Sequence, residues 1–125
     1  MKLDRSKKRI SKKSKKGFQG YPVVTIAFYG PNNKLATKVA VGVILHQDGD
    51  VEMERFLSTT DVRNDEKINA KIVDIIEASG AKSVSAVDGI IGCPHEEGVD
   101  YPDGEECAEC EFWKGRDRFT GEFKH

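Results

Sequence analysis

The sequence predicts an α+β fold: an antiparallel sheet of three or four strands, covered by one helix. Three short segments in which apolar residues alternate with others follow one another through turns. A segment with a helical apolar period comes next, and a fourth strand-like segment follows it. A sheet with one apolar face has to be covered, and one helical layer is the simplest cover.

The first three strands are predicted at residues 22–29, 35–45 and 51–57. Val24, Ile26 and Phe28 alternate with less apolar neighbours, which is the period of a strand with one buried face. Asp48-Gly49 is typical of a tight hairpin turn, so the second and third strands are expected to be antiparallel neighbours. The fourth strand is predicted at 84–91.

The helix is predicted at residues 62–79. Its start is marked by several acidic residues, which the helix dipole favours there, and Thr60, Asp61 and Asn64 are all suitable N-caps. Gly80 suits the left-handed position that follows a helix. One helical face carries the apolar residues Ile68, Ile72, Ile75 and Ile76.

The chain of 125 residues is expected to contain one domain with two appendages. Residues 1–20 are predicted to be a disordered basic arm, 21–92 the α+β domain, and 93–125 a metal-binding segment with a tail packed on it. No apolar run approaches the roughly 20 residues of a membrane span, and no secretory signal is visible. We therefore expect a cytoplasmic protein that does not enter a membrane.

A Cys-x-His pair and a Cys-x-x-Cys pair lie close together near the end of the chain. All three cysteines of the protein belong to these pairs, and 11 residues separate the two. Two close pairs of Cys and His are the usual ligands of a structural zinc ion, whereas a Cys107–Cys110 redox pair would leave the other two residues unexplained. The sequence predicts one Zn²⁺ held by Cys93, His95, Cys107 and Cys110.

The same segment partly imitates the zinc site of nucleoside and nucleobase deaminases. Those enzymes combine His-x-Glu with Pro-Cys-x-x-Cys and use the Glu to move protons. Here Glu106 replaces the proline, the gap is short, and Cys93 can take the coordination position that a catalytic zinc leaves for water. A hydrolase or deaminase-like enzyme is therefore a minor alternative, and no catalytic residue is predicted.

Charge divides the chain into two unlike parts. Residues 1–16 carry nine basic side chains and one acidic one, while the rest carries 11 basic and 20 acidic side chains. A dense basic arm is typical of proteins that bind nucleic acid or the ribosome, because each phosphate contact releases counterions. The alternatives are an arm that lies on the protein's own acidic metal loop and an arm that is merely solvated. The cations predicted to contact nucleic acid are Lys7, Lys8, Arg9, Lys12, Lys13, Lys15, Lys16, Arg116 and Arg118.

The last two of these cations belong to an aromatic and basic stretch that follows Cys110. Phe112, Trp113 and Phe119 could stack on bases, but the favoured interpretation is that Phe112 and Trp113 pack the metal loop onto the sheet. A second functional hypothesis is an adaptor whose acidic metal loop, between Glu96 and Glu111, binds a basic protein.

The segment Gly-Cys-Pro-His-Glu-Glu-Gly, followed by Cys-x-x-Cys-x-Phe-Trp and Gly-Arg-Asp-Arg-Phe-Thr, resembles a family of small, uncharacterised bacterial proteins. The resemblance extends back over the sheet to the lysine-rich entry that ends in Gly-Phe-Gln-Gly-Tyr-Pro. It implies a shared metal site and implies no activity.

Overall fold

Four strands and one α-helix make up most of the computed structural model, which describes residues 17–96, 99–102, 104, 107 and 110–114. The elements are β1 (Val23–Tyr29), β2 (Lys38–Ile44), β3 (Val51–Leu57), α1 (Glu66–Ser79) and β4 (Ser83–Ile90). Short 3₁₀ turns are formed by Val62–Asn64 and Glu111–Trp113. Within these described residues, no helix is long and apolar enough to cross a membrane.

The sheet is mixed, so the prediction of a purely antiparallel sheet was wrong. The strand order is β3-β2-β1-β4; the pairs β1–β2 and β2–β3 are antiparallel, but β1 and β4 are parallel. Strands β1 and β3 point the same way because each is antiparallel to β2. Helix α1 carries the chain back to the end of the sheet where β3 began, so β4 sets out in the same direction as β3 and β1.

Local hydrogen bonds explain why two elements start later than their apolar patterns indicate. Strand β2 begins only at Lys38, because side chains bind the amides before it: Asn32 accepts those of Lys34 and Leu35, at 2.8 and 3.1 Å, and Asp61 accepts that of Ala36. Helix α1 begins at Glu66, because the Asp65 carboxylate caps it by accepting the Ile68 amide at 3.0 Å. The sequence had pointed to three other caps.

One of those candidates, Asp61, caps the 3₁₀ turn instead. Its carboxylate accepts the Arg63 amide at 3.0 Å and forms an ion pair with the Arg63 guanidinium at 2.6 Å. The same carboxylate accepts the Ala36 amide at 3.2 Å, so it joins the turn before α1 to the segment before β2. At the other end of α1, Gly80 has φ 66°, the left-handed conformation expected of it.

The main core lies between α1 and one face of the sheet. Val24 and Ile26 of β1 and Val39 and Val41 of β2 are 1% exposed or less, and Ile72 of α1 belongs to the same cluster. Successive strand residues point to opposite faces, so Lys38 and Ala40 point away from α1. These two residues are nevertheless only 6% exposed. The segment that follows β4 covers them.

Candidate metal centre

Two backbone hydrogen bonds hold the segment after β4 against the end of β1. The Ile91 amide donates to the Phe28 carbonyl, and the Gly30 amide donates to the Gly92 carbonyl, each at 2.9 Å. Gly30 also accepts the indole N–H of Trp113 at 2.8 Å, so the segment is held at both ends. A Cβ on Gly30 would lie 1.7 Å from the Leu35 carbonyl oxygen. No side chain fits at this distance, so position 30 requires glycine.

The structure brings together the four residues that the sequence predicts as metal ligands. One ligand atom from each of Cys93, His95, Cys107 and Cys110 lies within 4.8 Å of the others. The His95 Nδ1 atom is 3.3 Å from the Cys107 Sγ and 3.4 Å from the Cys110 Sγ. Tetrahedral zinc with ordinary bond lengths would place these atoms about 3.6 Å apart. The cluster is thus the right size to hold a metal ion.

The ionisation of the three thiols in this cluster is easier when a cation is bound beside them. Burial is the main cause that raises the pKa of Cys110, and together with the negative charge of the neighbouring thiolates it raises this pKa to about 12. Burial also raises the pKa of Cys93. Three buried thiols at this spacing resist losing protons unless a positive ion compensates their charge. The donor set of three sulfurs and one imidazole is one that zinc prefers.

A buried lysine connects the Cys-x-His turn to the sheet. The Lys38 ammonium donates to the Pro94 carbonyl at 2.9 Å and to the Glu96 carboxylate at 2.8 Å, and it lies 5.9 Å from the centre of the Tyr29 ring. The Arg55 guanidinium binds the same Glu96 oxygen. The hydrogen bond from Lys38 is the main reason that the pKa of Glu96 is lowered, and Arg55 contributes to the lowering.

These two cations were not identified from the sequence. The segment from Cys93 through Glu111 carries eight acidic residues and no Lys or Arg, an imbalance that calls for a positive partner. The sequence does not indicate which cations supply it. They come from β2 and β3, where Lys38 and Arg55 lie on the sheet face opposite α1.

A cavity of about 230 Å³ separates the metal cluster from β2 and β3. Tyr29, Lys38, Arg55, His95 and Glu96 are among the residues that line it. The three charged groups in its wall are bound to one another. Glu96, the one carboxylate among the described residues of this wall, is therefore held in ion pairs.

The aromatic residues after Cys110 fill two different positions. Trp113 is 9% exposed and belongs to the same apolar cluster as the three cysteines and Ile90. Phe112 packs edge to face against Trp113, with 5.0 Å between the ring centres. The interpretation that these rings pack the metal segment onto the domain is confirmed. Phe119 lies outside the described residues.

The residues predicted to contact nucleic acid also lie outside the described part of the chain. They are Lys7, Lys8, Arg9, Lys12, Lys13, Lys15, Lys16, Arg116 and Arg118. Glu97, which occupies the Glu position of the deaminase His-x-Glu motif when His95 is taken as its histidine, lies outside it too. No family model, curated protein or solved structure matches this chain. What the protein does must therefore be argued from its own residues.

Proposed function

We propose that this protein is a small, non-catalytic binding protein, stabilised by zinc, whose basic arm binds nucleic acid, either free or within a ribonucleoprotein such as the ribosome. The observation that carries the zinc proposal is the convergence of four Cys and His donors, drawn from two chain segments, on one point. The observation that carries the nucleic-acid proposal is the concentration of nine cations in residues 1–16.

The number of protein donors supports a structural role for the ion. A structural zinc has four protein ligands, whereas a catalytic zinc has three and keeps one position for water or substrate. Cys93 supplies the fourth donor here, and it is buried at 6% exposure. Among the described residues that line the cavity beside the cluster, the one carboxylate, Glu96, is paired with Lys38 and Arg55. These features favour a stabilising ion over a hydrolase or deaminase.

The charge of the folded part favours a role for the arm over the adaptor hypothesis. Glu96 would belong to the acidic surface that an adaptor presents, yet Lys38 and Arg55 already bind it within the molecule. The acidic metal loop is thus partly neutralised by the sheet. The arm carries a net charge of +8, against −9 for the remainder. A polyanion is the partner that such an arm suits best.

Metal analysis tests the zinc proposal directly. Protein purified without chelator should contain one zinc per chain, and X-ray absorption should give zinc–sulfur distances of about 2.3 Å. Cys107→Ser should lose the metal, whereas Ser85→Ala, at an exposed serine of β4, should keep it. Protein that contains no zinc, or that contains zinc with a bound water in place of one thiolate, would contradict the proposal.

Salt dependence tests the arm. If six of its nine cations contact phosphates, the logarithm of affinity should fall with the logarithm of salt concentration, with a slope of about −4 for single strands and about −5 for duplex DNA. Replacing Lys7, Lys8 and Lys12 by Gln should make this slope shallower by about 2. The matched control replaces by Gln three exposed lysines of the folded domain, Lys34, Lys67 and Lys71.

Equal effects of the two triple variants would contradict the role of the arm. Full-length protein that binds neither RNA nor DNA at low salt would contradict nucleic-acid binding altogether. Capture of a basic protein that depends on the acids between Glu96 and Glu111 would support the adaptor hypothesis instead.

A further inference from the structure

An exposed phenylalanine stands directly beside the basic arm. Phe18 is 67% exposed, and it is two residues beyond Lys16, the last cation of the arm. The Phe18 ring meets the Tyr21 ring edge to face, with 5.4 Å between their centres and 73° between their planes. An edge contact of this kind leaves most of the Phe18 ring open to solvent.

The backbone next to Phe18 is fixed to the sheet. The amide of Gln19 donates to the Ser83 hydroxyl at 2.7 Å, and that hydroxyl donates to the Gly20 carbonyl, also at 2.7 Å. Ser83 is the first residue of β4 and is only 3% exposed. The open ring is therefore attached to a rigid part of the fold, which lowers the entropy lost when a partner stacks on it.

A further cation lies near the backbone that follows this ring in the chain. The exposed Lys82 precedes Ser83, and one of its side-chain carbons lies 3.4 Å from the position that a Cβ on Gly20 would take. The aromatic ring thus has Lys15 and Lys16 before it in the chain and Lys82 near the backbone that follows it. An open aromatic ring with cations close to it in the sequence, and another near the backbone after it, supplies the elements of a single-strand binding surface.

We propose that Phe18 is a base-stacking residue and that the nucleic acid bound by the arm is single-stranded. This inference rests on the proposed function, because it names the class of nucleic acid for the same site. Bases in a duplex are already stacked on each other, so their faces are not available to Phe18. Stacking on a protein aromatic is largely independent of sequence, because every base has a π-face.

The test compares nucleic acids whose base faces are open, absent or already stacked in a duplex. Anisotropy should be measured for the full chain with a 12-nucleotide single strand, an abasic strand of equal length and a duplex, using RNA and DNA in separate arms. Phe18→Ala should weaken single-strand binding about 5- to 150-fold. It should leave the salt slope, the duplex affinity and the abasic-strand affinity unchanged. Phe18→Tyr should retain the wild-type affinity.

The matched control is Leu57→Ala, which removes an apolar side chain that is 71% exposed at the other end of the sheet. It should not change single-strand binding. Equal affinities of wild type and Phe18→Ala, with the salt slope intact, would overturn the stacking role and leave the proposed function standing. An equal loss for single strands and duplex would also overturn it. Absence of all binding by the wild-type chain would overturn both proposals.

Discussion

Among single residues, charged side chains that are buried or partly buried, one in β2 and one before α1, hold distant parts of the chain together. Lys38 is the clearest case: its ammonium is shielded from water and donates to the carbonyl of Pro94, which lies between two of the candidate metal ligands. A group that orients the ligands of a metal ion commonly affects the affinity of the site for that ion as well as the stability of the fold. Lys38 should therefore influence both.

We expect Lys38→Met to lower the affinity for zinc about 10-fold and the free energy of unfolding by about 1–3 kcal/mol. The Pro94 carbonyl would lose its donor, while Glu96 would keep Arg55. Chelator competition and urea titration measure the two effects. Lys67→Met, at an exposed position of α1, is the control and should change neither. An unchanged zinc affinity in Lys38→Met would show that the turn keeps its geometry without this lysine.

Asp61 gives a second residue-scale prediction, which concerns pH. The Arg63 guanidinium is the main reason that the pKa of Asp61 is lowered from 3.8 to about 2. A carboxyl whose pKa is lower in the folded state stabilises the fold above the unfolded-state pKa, and this stabilisation is lost as the pH falls through the folded-state value. Asp61→Asn should lower the free energy of unfolding at pH 7 by about 1–2 kcal/mol.

The difference between wild type and Asp61→Asn should shrink as the pH falls from 4 to 2. Urea titrations of both proteins at each pH measure it. Both proteins lose any bound metal in acid as the thiolates are protonated, so the difference isolates Asp61. A difference that stays constant between pH 4 and pH 2 would show that the charge of Asp61 does not stabilise the fold.

At the scale of elements, the turn after β1 joins the sheet to the metal segment. Gly30 has no room for a side chain, and both its amide and its carbonyl bind that segment. Gly80 differs, because a Cβ there would meet nothing within 4 Å, and only its left-handed φ disfavours other residues. A substitution of Gly30 therefore tests a steric clash, whereas a substitution of Gly80 tests the cost of a left-handed φ.

Gly30→Ala should displace Leu35, weaken the bond from Trp113 to residue 30, and lower the affinity for zinc. The emission of Trp113, the one tryptophan of the chain, should shift to the red as the indole becomes exposed. Gly80→Ala should cost about 1 kcal/mol of stability through its φ alone, with normal zinc affinity and emission. Equal emission spectra and zinc affinities for the two variants would refute the special role of Gly30.

At the scale of the whole molecule, the metal segment shares its apolar cluster with the domain. Cys93, Cys107, Cys110 and Trp113 belong to the same cluster as the residues between α1 and the sheet. The remainder of that cluster, around Ile72, is formed without the metal ligands. Loss of the ion should therefore loosen one end of the molecule before it affects the rest.

Removal of the metal by a chelator at neutral pH should accelerate hydrogen exchange at the amides of Gly30, Ile91 and Trp113. These amides bind across the junction or within the metal segment. The amide of Asn69, in the first turn of α1, should exchange at its former rate and serves as the internal reference. Unchanged exchange at Gly30 and Trp113 would show that the segment holds its place without an ion. Accelerated exchange at Asn69 as well would show that the metal stabilises the whole fold.

Features that depend on neighbours in the chain could be predicted from the amino-acid sequence alone. Alternation along β1, the helical period of α1, the stop at Gly80 and the spacing of Cys107 and Cys110 all act over a few residues, so each can be read locally. The metal cluster belongs to this group too, because two short-range pairs and one loop define it. One local feature was still missed: Asp65 caps α1, and several equally suitable residues surround it.

The way in which these elements pack together was visible only in the folded chain. The parallel pairing of β4 with β1 depends on which sheet edge α1 returns to, and strand periodicity carries no information about that edge. The choice of Lys38 and Arg55 as partners of Glu96 likewise joins residues 58 and 41 positions apart. Such contacts are selected by the faces that must be buried together and by the charges that this burial brings close. These are properties of the packed chain, and a local pattern does not contain them.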